Sequence, residues 1–236
     1  MLDVSRRELK YLVSLGNVSS LKRKLSEIMR EDDHNGERGY LVRSLYFDSI
    51  YDRDFEDKVD GYDNRQKVRL RVYNFDSQTA KLELKEKSGI AQRKRSLLIN
   101  RDEAECMIRG DYGFLLEREE EIANKLYTFM VTRCYRPKCI VEYDRIAFCE
   151  PVNDMRITFD MNLRATEAGL QGLFDQNLIL YPVCDKSEVT MEVKYKEADA
   201  AGITYIWWDN GENYRIMDRE KYEWTFPEIK DVLIKK

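Results

Sequence analysis

The chain has 236 residues, enough to bury one sizeable core. Its 36% charged and 43% hydrophobic residues exclude the hydrophobicity-poor composition of a disordered chain. A formal net charge of -4 argues against a general nucleic-acid coat, so no nucleic-acid partner is expected. Five cysteines without a C-x-x-C pair and a single histidine, His34, offer neither a zinc site nor a disulfide framework, which fits a cytoplasmic location. No run of about 18 apolar residues is present, and the first residues lack the apolar stretch of a signal peptide, so no direct membrane insertion is expected. Four prolines and eleven glycines mark no linker, and the sequence reads as a single domain over 1–236.

Hydrophobic periodicity predicts a first strand over Leu9–Ser14 and then a helix, capped by Asn17 or Ser19, running to about Arg30. Asp32–Gly39 reads as a loop, Tyr40–Asp48 as a strand, and Ile50–Val59 as a short helix with Tyr51, Phe55 and Val59 at helical spacing. Strands follow at Lys67–Tyr73, Lys81–Lys87 and Gln92–Ile99. Asn100 with Glu103 has capping-box form for a helix through Ile108, and a longer helix covers Leu116–Thr132. Cys139–Phe148, Met155–Leu163, Val189–Lys194 and Ile203–Trp208 complete the strands, and a last helix starts near Pro227. The sum is an α+β fold, an antiparallel sheet large enough to close into a barrel with helices around it.

Successive strand residues point to opposite faces, so Lys67, Arg69 and Arg71 share one face while Val68, Leu70 and Val72 share the other. The same rhythm returns with Lys81, Glu83, Lys85 and Lys87, with Tyr143 and Arg145, with Arg156 and Asp160, and with Glu192 and Lys194. Cations crowded at this spacing repel one another unless an anion offsets them, and the guanidinium fork matches phosphate oxygens. The pattern therefore points to a sheet whose polar face receives a polyanion. Acidic runs such as Glu117–Glu121 and Glu31-Asp32-Asp33 are expected on the solvated exterior.

Glu83 and Glu192 each precede a lysine of the same face by two residues. That placement suits an internal ion pair, and equally a magnesium or manganese site completed by phosphate oxygens. No G-x-x-x-x-G-K-[ST] loop and no kinase motif is present. His34 reads as a solvated loop residue, and Tyr46, Phe47, Tyr51, Trp207, Trp208 and Trp224 as core or rim packing.

Arg7-Glu-Leu-Lys-Tyr11, Ser44-Leu-Tyr-Phe-Asp-Ser49, Lys67-Val-Arg-Leu-Arg71, Glu83-Leu-Lys85, Tyr143-Asp-Arg145, Arg156 with Asp160, and Glu192-Val-Lys194 stand in an order and spacing that resembles the VTC domain family, polyphosphate polymerases of the CYTH-like triphosphate tunnel metalloenzyme superfamily. The resemblance implies an antiparallel barrel forming a basic tunnel. It also implies transfer of the γ-phosphate of ATP to a growing polyphosphate chain, with Mn²⁺ or Mg²⁺ as cofactor. On that basis Lys10, Arg69, Arg71, Lys85, Arg145, Arg156 and Lys194 form the catalytic cradle, Lys67, Lys87, Tyr143 and Lys221 contact substrate, and Glu192 binds metal. Near the C-terminus the family has a Ser-Lys pair preceded by a lysine, whereas this chain reads Asp218-Arg-Glu-Lys221, with Glu220 in place of the serine. The SPX domain and membrane segments of multidomain relatives have no match, so export of product would need a separate membrane partner. Two alternatives stay open: a tunnel triphosphatase or nucleotide phosphohydrolase, and a non-catalytic polyphosphate-binding accessory subunit. Hydrolases of the superfamily often begin with E-x-E-x-K, and here Arg6 stands where the first glutamate would, which favours the polymerase.

Overall fold

The computed structural model describes residues 6–89, 91–151, 154–196, 204–209 and 213–218. Its strands are β1 (Arg6–Ser14), β2 (Arg30–Glu31), β3 (Tyr40–Ser49), β4 (Arg65–Val72), β5 (Thr79–Ser88), β6 (Ala91–Asn100), β7 (Tyr135–Glu150), β8 (Met155–Thr166), β9 (Tyr181–Pro182), β10 (Glu188–Lys196), β11 (Thr204–Asp209) and β12 (Asn213–Asp218). Helices are α1 (Leu15–Ser26), α2 (Arg53–Val59), α3 (Arg101–Ile108) and α4 (Glu121–Thr132). Lys221, Trp224 and the helix expected near Pro227 lie outside the described residues.

A ten-stranded antiparallel sheet runs in the order β1-β10-β8-β7-β3-β4-β5-β6, with β2 on β7 and β9 on β8, while β11 and β12 pair with each other. The expected barrel is not closed by hydrogen bonds, because the order begins at β1 and ends at β6. The outer strand β6 carries Arg93, Lys94 and Arg95 in succession, and charged side chains on an edge disfavour further pairing. The two ends nevertheless face each other through side chains: Lys85 Nζ on β5 lies 3.7 Å from Glu8 Oε2 on β1. Two bulges help the sheet curl. β7 carries an extra residue opposite Tyr46/Phe47, next to Pro137, which lacks an amide donor. β8 carries another opposite Tyr143, with Asn162 in the left-handed region at φ 52°.

The apolar alternates of each strand form the convex face. Leu45, Phe47, Val68, Leu70, Val72, Leu82, Leu84, Leu97 and Ile99 pack with Met107 of α3 and Leu126 and Met130 of α4. On the other half, α1 lays Val18, Leu21 and Leu25 against Val13, Ile146, Phe148, Ile157 and Phe159. Each fully buried side chain of this kind stabilises the fold by about 1.5–3 kcal/mol. Arg43 is also on the convex face. It pairs with Glu142 and donates to the carbonyls of Gly172 and Asp175, pinning the short 3-10 turn Leu170–Phe174 to the sheet.

Several local starts and stops differ from the sequence reading: α1, expected to run to about Arg30, ends at Ser26 with Arg30 in β2, β1 and β7 start earlier, at Arg6 and Tyr135, and β8 runs on to Thr166. The cap of α1 is Ser14, not Asn17 or Ser19, because the strand's last hydroxyl already accepts the Gly16 amide at 3.3 Å. Helix α2 begins at Arg53 and not at Ile50, since Asp48, at the end of β3, accepts the amides of Asp54 (2.9 Å) and Phe55 (3.0 Å) and sets its first turn. The expected helix over Leu116–Thr132 splits into a 3-10 turn, Gly113–Glu117, and α4, with extended backbone at Arg118 and Glu120 between them. The capping box of Asn100 and Glu103 forms as expected.

Candidate functional site

The polar alternates of the strands line the concave face. On β4 these are Lys67, Arg69 and Arg71, facing Lys85, Glu83 and Lys81 of β5 across the ladder. On β1 and β10 they are Glu8 beside Lys194 and Lys10 beside Glu192. Arg156 of β8 follows Lys194, and Asp160 of β8 pairs in register with Arg145 of β7.

Glu83 is fully buried and is the hub of one half. Its carboxylate takes Arg69 Nε at 2.6 Å, has Arg71 Nη1 at 3.8 Å, and pairs with Lys94. Burial opposes its charge, but Arg69 and Arg71 outweigh that and hold its carboxyl down at about 2. Arg69 also donates to Tyr46 Oη at 2.9 Å. Lys94 is drawn below its ordinary range, by burial first.

Glu192 is the hub of the other half. It pairs with Lys194 and has Lys10 Nζ at 3.1 Å, and these cations overcome burial to hold its carboxyl low. Glu8 joins it: Lys10 Nζ lies 3.3 Å and Lys194 Nζ 3.6 Å from its carboxylate. Lys85 bridges the halves, reaching Glu8, and burial depresses its ammonium. Arg145 is held by Asp160 in a two-pronged pair at 2.6 and 2.7 Å, with the Tyr143 ring 5.1 Å from its guanidinium.

Lys10, Arg69, Arg71, Lys85, Tyr143, Arg145, Glu192 and Lys194 therefore share one surface. Lys67 and Lys87 extend it along β4 and β5 toward one end, and burial lowers the Lys67 ammonium. Arg156 points to the other end, where Nη2 meets Asp32 at 2.7 Å and Tyr40 Oη at 2.9 Å. Asp32 thus belongs to the rim of this face, not to the solvated exterior expected for its acidic run, whereas Glu117, Glu119 and Glu121 are exposed as expected. Gly39, at φ 85°, lets the chain enter β3 against β7: a Cβ there would sit 2.3 Å from the Arg145 carbonyl.

Besides Asp32 and Tyr40 at the rim, Glu8, Lys94 and Tyr46 of this face escaped the sequence reading. Glu8 carried a signal, being two residues before Lys10 on the same strand. Lys94 lay in an Arg-Lys-Arg run whose parity was visible but whose partner, Glu83, was not. Tyr46 was read as packing, yet its hydroxyl holds Arg69. Tyr51, also read as packing, is 79% exposed.

Divalent metal chemistry fits the Glu8–Glu192 pair. Hard divalent cations take carboxylate oxygens, and here the cation would displace Lys10 and Lys194, which these two carboxylates share as counter-charges. Among the described residues no third Asp, Glu, His or Cys converges on them, so phosphate and water would complete the coordination.

A curled antiparallel sheet, apolar and helix-covered outside and cationic within, defines an α+β protein built around a charged concave face. The model of the VTC domain matches residues 5–220, and the chain belongs to that family. Among solved structures it is similar to a "putative adenylate cyclase" from Bacillus halodurans (14% identity, 80% of this chain and 81% of that one, TM-score 0.47). One of the same description from Vibrio parahaemolyticus gives 12% identity, 84% and 79% coverage and a TM-score of 0.47. A "putative adenylyl cyclase" from Hippeastrum, described as having a dominant triphosphatase activity, gives 12% identity, 82% and 80% coverage and a TM-score of 0.48. Among curated proteins, the cellulase/esterase CelE of Acetivibrio thermocellus is 29% identical over 102 residues, 40% of this chain, and the match spans 12% of the length of that relative.

Proposed function

We propose that the chain is a polyphosphate polymerase that moves the γ-phosphoryl group of ATP onto the end of a polyphosphate chain. The observation that carries this reading is the gathering of Lys10, Arg69, Arg71, Lys85, Lys94 and Lys194 around Glu8, Glu83 and Glu192 on one concave face of a VTC domain. In the reaction the bond from the γ-phosphorus to the β–γ bridging oxygen breaks, ADP departs with the electron pair, and a terminal phosphate oxygen forms the new bond. Two polyanions must meet for this, and their mutual repulsion is the main obstacle. Arg69, Arg71, Lys85 and Lys94 supply fixed positive charge in a partly desolvated setting, where it acts more strongly than in water. Lys10, Lys194, Arg145 and Arg156 surround the remaining phosphate path, and Lys67 and Lys87 continue it along the sheet. Tyr143 orients beside Arg145, and Lys221 is assigned to the same path from its place in the family pattern. No general base is needed, because the attacking phosphate is already an anion. Glu192, with Glu8 beside it, would hold Mn²⁺ or Mg²⁺, which when bound offsets negative charge on the phosphate oxygens.

Glu8 favours a second reading, a tunnel triphosphatase, because it supplies one of the two glutamates of the hydrolase pattern on the same face as Glu192. The products decide. Purified protein with ATP and Mn²⁺, with and without pyrophosphate primer, should release ADP and build a ladder of lengthening chains. ADP or free phosphate without a ladder assigns the hydrolase instead, and bound polyphosphate without turnover assigns an accessory subunit.

A further inference from the structure

The concave face has two unlike ends. Along β4 the residues Arg65, Lys67, Arg69 and Arg71 share a face, and Tyr73 follows two positions on, one step past the strand. At about 3.3 Å per residue, Arg69 to Tyr73 covers about 13 Å, so the row runs from cations inside to an aromatic ring at the rim. Tyr73 does not stand alone. Its ring centroid lies 6.1 Å from that of Tyr40, and the His34 ring lies 6.3 Å beyond Tyr40. The polar tips of the two tyrosines are turned to the phosphate-facing cations, with Arg71 beside the Tyr73 hydroxyl and Arg156 donating to Tyr40 Oη. Lys81 stands 5.4 Å over the Tyr73 ring. Tyr73 is 41% exposed, so part of its ring stays open beside Lys81 and Tyr40.

The opposite end differs. Arg65, Lys67 and Lys87 lie there. The nearby aromatics, Tyr51 and Tyr62, line a cleft with Arg53, Glu56, Asp57 and Asp60 instead of standing in the cationic row.

We infer that Tyr73 and Tyr40 are the nucleobase platform of this site, so that a nucleoside triphosphate enters from their end with its phosphates pointing inward along Arg71 and Arg69, and the acceptor chain enters from the Lys67/Lys87 end. The inference rests on the polymerase reading and gives it a direction. A base stacked on a ring is read by its π-face, so the platform accepts adenine and guanine alike. The two tyrosines favour a nucleoside triphosphate over inorganic tripolyphosphate, and the cations behind them hold either.

The test is calorimetric titration of the full chain with Mg-ATP and, separately, with tripolyphosphate, in the wild type, Tyr73→Ala, Tyr73→Phe and Tyr62→Ala. The platform predicts that Tyr73→Ala weakens ATP about tenfold, in the range of one lost base–aromatic stack. Tripolyphosphate should stay within about twofold, which also shows that the variant is folded, and Tyr73→Phe and Tyr62→Ala should keep ATP affinity. Equal losses for both ligands in Tyr73→Ala, or none for either, overturn it. A loss of ATP with Tyr62→Ala overturns the direction. A wild type that binds tripolyphosphate as well as ATP removes the platform and leaves the phosphate-binding face intact, whereas a wild type that binds neither removes the polymerase reading and the platform with it.

Discussion

Glu83 shows what a single carboxylate does among cations. It is buried, and it is the shared counter-charge of Arg69, Arg71 and Lys94. Its folded pKa of about 2 lies below the ordinary glutamate value, so its contribution is present above about pH 4.3 and is lost as pH falls toward 2. Glu83→Gln should destabilise the free protein by about 3 kcal/mol, because three cations lose their counter-charge. Tripolyphosphate should then raise the melting temperature of the variant more than that of the wild type. Equal shifts would mean that the ligand does not take over the role of Glu83. The lysines make a complementary prediction. Burial depresses Lys67, Lys85 and Lys94, so part of their charge is lost at a pH below the usual lysine range. A bound polyanion favours the ammonium form, so titration of tripolyphosphate near pH 9 in buffers of different ionisation enthalpy should show proton uptake that shrinks toward pH 7. At this scale the sequence was informative where parity sufficed: Arg69, Arg71, Lys85 and Lys194 were readable from alternation along their own strands, whereas Lys10 came only from the family resemblance. Glu8–Lys85 and Glu83–Lys94 were not readable as pairs, because each joins strands whose pairing or approach the alternation does not encode.

Helix α2 depends on groups outside itself. Asp48 caps it from the end of β3, while Asp54, buried in its first turn, is pushed up to about 6, mainly by burial and further by the charge of Asp48. With an unfolded value near 3.9, Asp54 imposes no penalty below about pH 4 and its full penalty above about pH 6, so its contribution to stability falls as pH rises through that window. Asp54→Asn should therefore stabilise the protein by roughly 2–3 kcal/mol at pH 8 and by little at pH 4. A gain that is independent of pH would contradict this account of Asp54. Elements of this kind explain the misplaced boundaries. Ser14 and Asp48 cap helices from strand ends, so local periodicity alone set the starts of α1 and α2 too late and too early. The capping box at Asn100 and Glu103 is contained within its own turn, and it was readable from sequence.

At the scale of the molecule, the alternation that segregates Val68, Leu70 and Val72 from Lys67, Arg69 and Arg71 sorts the whole sheet into a helix-covered apolar side and a cationic hollow. The antiparallel α+β architecture follows from that alternation. Closure does not, because it depends on whether the two outer strands, β1 and β6, come into register, which alternation along each strand does not encode. Across the gap Lys85 of β5 meets Glu8 of β1. A protein built in this way carries its function in the placement of charge. The most direct measurement is transfer of label from γ-³²P-ATP into acid-insoluble polyphosphate by the wild type and by Arg69→Ala. The account predicts a labelled, lengthening chain from the wild type and a rate lower by about 100-fold or more in the variant, the scale of a lost electrostatic donor. No labelled chain from the wild type, or equal rates in the two proteins, would contradict it.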